Sequence, residues 1–149
     1  MEMRKISTGA IIAIAATGLF LTLLTTGLLM SSQTLQSSGT VTAVNVGVYS
    51  DSSYTQNCTS IDWGTIAPGN SSTRTIYIKN IGTIPITLSM TTGSWVPSNA
   101  NTYISLGWNR GGTVLSAGQS TSATLTLSAS SSAGNITSFS FNIIITGTE

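Results

Sequence analysis

From Thr40 onward the chain repeats in twos. Val44, Val46 and Val48 alternate with Asn45 and Gly47, and Ile76 and Ile78 with Tyr77 and Lys79. Ile84, Ile86, Leu88 and Met90 alternate with Pro85, Thr87 and Ser89. The same rhythm returns at Ile104, Leu106 and Trp108, at Ala123, Leu125 and Leu127, and at Phe139, Phe141, Ile143 and Ile145. A period of two puts successive side chains on opposite faces of a strand, so each run has one face to bury. Turn residues separate the runs, as in Ala67-Pro68-Gly69-Asn70, Asn80-Ile81-Gly82-Thr83 and Asn109-Arg110-Gly111-Gly112. Nothing after Met30 follows a helical period. Residues 40–149 therefore read as an all-β domain, an antiparallel β-sandwich of about seven strands. Pro85 cannot donate to a ladder and marks an edge or a strand start. Ile144 breaks the last alternation, which predicts cover on both faces of the C-terminal strand near its end.

The other constraint lies before the domain. Ala10 to Met30 contains no charged side chain and follows Arg4-Lys5. At about 1.5 Å per helical residue it can just cross about 30 Å of hydrocarbon, so residues 1–30 form one hydrophobic helix that is either an export signal or a membrane anchor. Cleavage near Ser31–Ser38 gives a free exported domain. Retention leaves the helix in the membrane with Arg4 and Lys5 on the cytoplasmic side. A third course is a cut before the run at Gly9-Ala10. In each case the remainder lies outside the cytoplasm, at the cell surface or beyond. Residues 31–39, SSQTLQSSG, are small and polar and read as a flexible linker.

Composition excludes several functions. Charged residues are 6% of the 149 positions. Past Met30 they are Arg74, Lys79 and Arg110 against Asp51, Asp62 and Glu149, a balance of zero. A surface met mainly by Ser and Thr offers no basic patch for phosphates, so nucleic acid is not expected as a partner. The chain has no His, the usual general base and zinc ligand. Asp51 and Asp62 are the only candidate carboxylate pair, and with Asn57 they lack the dense acidic spacing of calcium loops. No glycine-rich loop opens a helix. The expectation is a non-enzymatic protein without cofactor or metal.

Asn57, Asn70 and Asn135 each begin an N-x-S/T sequon in an expected loop or turn, and are candidate glycosylation sites. Cys58 is the only cysteine. It is read as a partly buried thiol, with an intermolecular disulfide as the other use. Trp63, Trp95 and Trp108 serve the core or its lid; Trp95, heading the loop to Asn101, is the candidate platform for a glycan. Gly64–Ile78 and Gly112–Leu127 share an apolar residue, a Gly turn, a Ser/Thr run and an alternating strand, which we read as one sandwich corner used twice.

The stretch WGTIAPGNSSTRTIYIKNIGTIPITLSM, Trp63–Met90, resembles the core of immunoglobulin-like sandwich domains. It is similar to that of exported surface filament proteins of the TasA/camelysin type and their archaeal bundling-pilus relatives. Gly9-Ala10 looks like the cleavage site of archaeal type IV pilin precursors, whose hydrophobic helix becomes the filament core, although Thr8 stands where those carry a charge. The filament resemblance implies an Ig-like or jelly-roll sandwich that polymerises when one subunit's N-terminal strand completes the next subunit's sheet. Strand addition needs an extended, alternating segment on a flexible tether and an open sheet edge. Gln33–Tyr49, with Val41, Val44, Val46 and Val48, is that segment; alternatively those valines fill their own domain's edge. Two functions follow: a protomer of a homopolymeric cell-surface filament, joined by strands or by retained N-terminal helices, or a membrane-anchored sandwich that binds a glycan or partner protein.

Overall fold

The computed structural model describes residues 34–149; the hydrophobic run 10–30 and the first residues of the expected linker lie outside the described residues. Nine strands form: β1 Leu35–Val44, β2 Gly47–Tyr49, β3 Ser60–Ile66, β4 Ser71–Lys79, β5 Ile86–Val96, β6 Ile104–Trp108, β7 Val114–Leu115, β8 Ser120–Ala129 and β9 Ser138–Thr148. They make a five-stranded sheet in the order β3-β1-β9-β5-β7 and a four-stranded sheet in the order β2-β4-β8-β6. The only regular helices among the described residues are two short 3-10 turns, Ser98–Thr102 and Ala133–Asn135.

The all-β expectation holds, and three details change. Two short edge strands, β2 and β7, raise the count to nine. The sheets are not wholly antiparallel, because β1 runs parallel to β9 over Gln36–Val44 and Ser138–Thr146. Every connection also passes from one sheet to the other, whereas the immunoglobulin order keeps several consecutive strands in one sheet.

The period-two pattern explains why the sheets face each other. Ile76, Ile78, Leu125 and Leu127 of the smaller sheet are almost fully buried, as are Trp63, Leu88, Phe141, Ile143 and Ile145 of the larger. All belong to one core. Tyr77, Lys79, Thr124 and Thr126 lie between them on the half-exposed face. Ile144 is only half-buried, opposite Thr42 and Thr91 on the hydroxyl-rich outer face. β5 starts at Ile86, directly after Pro85, so the proline sits at a strand start; Ile84, expected inside, is 42% exposed.

The repeated corner is a structural fact. Asn70 N donates to Ala67 O and Gln119 N to Ser116 O, both at 3.0 Å, with Gly69 and Gly118 at φ 81° and 72°. That left-handed position is why glycine stands third in each turn. The strands that follow, β4 and β8, pair antiparallel, and each turn is gripped by the far end of the other's strand. Gly69 N donates to Ala129 O while Ala129 N donates to Asn70 O; Gly118 N donates to Asn80 O while Asn80 N donates to Gln119 O.

Candidate functional site

The chain's first described strand lies inside the larger sheet, second from its edge. β1 lies between β3, antiparallel to it, and β9, parallel to it, and β3 and β9 are not neighbours in the sheet order. A slot one strand wide thus separates them, and β1 fills it. An open depression of about 630 Å³, lined in part by Gln36, Asp62, Val96, Pro97 and Ser138, lies at the end of the slot where β1 begins.

The strand begins earlier than expected. Leu35–Gly39, within the stretch assigned to a linker, already belongs to β1. Leu35 (0% exposed), Ser37 and Val41 (both 7%) point inward with Gly39, while Gln36, Ser38, Thr40 and Thr42 are exposed. The alternation is complete, but its inward members are mostly too small to register as hydrophobic. They are small because of what lies beneath. On β3 the pairing skips a residue, with Ser37 opposite Gly64 and Ser38 opposite Asp62, so Trp63 is the bulged residue. Gly64, at φ 72°, takes the left-handed conformation the bulge requires, and its N–H donates to Asp62 Oδ1 at 2.8 Å. The indole turns inward and is 2% exposed. A Cβ on Gly39 would lie 3.3 Å from Trp63 Nε1 and 3.2 Å from Ile143 Cδ1. Trp63 Nε1 is a buried donor without a hydrogen-bond partner among the described residues.

β1 connects to the rest of the domain through Asn45 and Val46 alone. Asn45 is exposed and adopts φ 59°, a left-handed conformation that Asn tolerates better than most residues but at a cost. Its side-chain amide reaches Gly147 O only at 3.5 Å. Beyond it Val46 (4% exposed) is anchored against β9, and Val48 (4%) in β2 pairs with β4 through Ile78. The four valines named as an assembly strand are therefore divided. Val41 sits inside β1, Val44 ends it, and Val46 and Val48 are buried in the body of their own domain, beyond Asn45.

Two arginines cap strand carbonyls, one on the edge strand β3 and one on β8 beyond the stretch that pairs with β6. Arg74, on β4, donates from Nε to Asp62 O of β3 at 2.9 Å and lies 6.0 Å from the Trp63 ring centroid. Arg110 donates from Nε to Ser122 O at 2.7 Å. Occupying strand-edge carbonyls in this way discourages unplanned pairing.

The remaining candidates are dispersed. Asn57, Asn70 and Asn135 are all exposed, in a loop, a turn and a 3-10 turn respectively. Asn70 lies near the Ser130–Thr137 connection, since Gly69 faces Ser131. Trp95 is half-buried in the β5 bulge next to Ser94, whose φ is 53°. Its ring stacks on Phe141 with centroids 4.2 Å apart and planes at 6°, so one face of the proposed platform is already occupied by the core. Cys58 is buried, with Sγ 3.8 Å from Ser60 O, and burial pushes its thiol above the ordinary range. Asp51 accepts from Thr55 N, Thr55 Oγ1 and Gln56 N, spending its carboxylate on its own loop. Sequence reading missed a cluster of Tyr49, Tyr54 and Tyr77, whose edge-to-face contacts at 5.6 and 6.1 Å pin that loop to β2 and β4.

No protein-family model matches the chain, and no curated protein matches it in sequence.

Proposed function

We propose that this protein is a non-enzymatic protomer of a cell-surface filament, in which β1 of one copy fills the slot between β3 and β9 of the next. One observation carries the reading. The first described strand of the domain is an inserted interior strand, held by main-chain bonds on both sides and joined to its own body by two residues, the first of them a left-handed asparagine. Such a strand can leave its own slot and occupy an identical one without any change in the pairs it makes, which is the condition for domain swapping. When the exchange is not mutual the contact is head-to-tail, and repeated contacts give an open fibre. The sheet-to-sheet winding suits the jelly-roll form of the resemblance better than the immunoglobulin form.

The segment 10–30 fits this role as the export signal or as a helix retained at the cell surface, and the near-neutral, hydroxyl-rich exterior together with three exposed sequons suits an extracellular, glycosylated polymer. The binding-module reading has less support, because Trp95 spends a face on Phe141.

The test is a concentration series of the mature chain, followed by light scattering and electron microscopy, with and without residues 34–44. Filaments from the intact chain and none from the deleted one are the expected result. A chain that stays monomeric at every concentration, or a deletion that still polymerises, refutes strand exchange.

A further inference from the structure

We infer that the slot accepts only one extended sequence in one register, that of β1 from a second copy of this chain, and that Gly39 over Trp63 is what it reads. This inference rests on the strand-exchange reading above and adds the identity of the incoming strand.

The inner wall of the slot is a steric profile. Leu35 fills a site with no solvent exposure, Ser37 is buried with 7% exposure, and Gly39 crosses a point where even a Cβ would crowd the bulged indole and Ile143 at 3.3 and 3.2 Å, so that a larger side chain requires both to shift. Val41 then occupies a site of moderate size. A slip by one residue turns Gln36, Ser38 and Thr40 into the core, exchanging every inner side chain for a polar one. A slip by two in one direction lays Val41 across Trp63, where even a first carbon already meets two atoms at 3.2 and 3.3 Å. A slip by two in the other puts glycine at the Val41 site, leaving a cavity there, and forces Leu35 into the site of Ser37 and Ser37 into that of Gly39 against Trp63 and Ile143. Only one register satisfies all four positions.

The unpartnered Trp63 N–H sharpens the point. Selection at this position is made by shape, because β1 offers the indole no acceptor. The bulge that turns Trp63 inward is fixed by Gly64 and Asp62, both on β3. The reader thus belongs to the accepting body and the notch to the arriving strand, and they meet in the same way whether the two come from one chain or from two.

The experiment uses the mature full chain and measures assembly by scattering and microscopy. Gly39→Val reduces assembly about tenfold or more, the effect expected of overpacking in a closed core. Gly39→Val with Ile143→Ala, which removes about the volume that was added, restores it to within about threefold. Because Gly39→Val can also weaken folding, a synthetic peptide of residues 34–44 is added in excess to the wild-type chain. The wild-type peptide stops filament growth and the peptide carrying Gly39→Val does not. If both peptides inhibit equally, or Gly39→Val assembles normally, the slot does not read residue 39 and the inference is overturned, while strand exchange stands. If neither peptide inhibits and the wild-type chain still polymerises, strand exchange itself is at fault.

Discussion

Asn80 Nδ2 lies 3.0 Å from the Leu115 carbonyl, a bond that joins the end of β4 in one sheet to β7 in the other from a side chain with no solvent exposure. The same amide donates to Ile84 O at 2.7 Å, and Oδ1 accepts from Gly82 N at 2.9 Å. Every polar atom of this buried residue is satisfied, which is the condition for a polar group to stabilise rather than weaken a core.

Asn80→Ala is therefore expected to cost about 2–4 kcal/mol, since it strands the Leu115 carbonyl in the core and frees the turn that Gly82 and Ile84 close. Urea denaturation with an unchanged slope and a lower midpoint is the readout. A loss below about 0.5 kcal/mol would show that water replaces the amide at no cost.

Under the proposed strand exchange, Asn45 sets the balance between filling one's own slot and filling a neighbour's. A β-branched residue is poorly suited to φ near +60°, so Asn45→Val should destabilise the self-filled form by about 1–2 kcal/mol and shift the concentration for assembly down by about tenfold. Asn45→Gly should move it the other way. Size-exclusion chromatography with light scattering across a dilution series checks the order of the three proteins.

The loop from Asp51 to Gln56 should loosen in acid. Hydrogen bonds from Thr55 and Gln56 hold the Asp51 carboxyl below its ordinary value of 3.8. A depressed value means the loop is fully supported above the ordinary aspartate range and loses that support as the pH falls through the folded value, below about 4. Amide exchange at Thr55 and Gln56 should rise over that window, and the rise should vanish in Asp51→Asn. Equal exchange in both proteins at every pH would show that the carboxylate does not hold the loop.

Material taken from the cell surface should be heavier than its polypeptide, with modified peptides mapping to Asn57, Asn70 and Asn135. Intact mass with peptide mapping decides this. Agreement with the bare chain removes glycosylation, leaving the three asparagines as ordinary polar surface.

Most of the sandwich was legible because large side chains announce their faces. Ile76, Leu88, Leu125 and Ile143 each lie on the buried face that alternation assigned. The slot was legible only in part. Ser37 and Gly39 are inward residues that look like linker, because the space they enter is set by Trp63, a residue whose inward turn depends on a bulge that no local pattern announces. Parallel pairing between β1 and β9 was likewise invisible, since the period of two is the same for either direction. Trp95 reads as core or lid with a platform as its other use, and its stacking on Phe141 puts one face against the core.

The pairing of the first strand with the last also sets a clock. β9 is the last of the domain's described strands in chain order, so one wall of the slot is missing until that strand has been made. During that interval β1 has been made but has no home, and the contact it awaits is among the longest-range in the chain, the kind that closes slowly. The domain thus still holds an unclaimed β1 at the moment its groove is completed. Under the proposed strand exchange, a neighbour that arrives within that delay competes on equal terms with the chain's own β1.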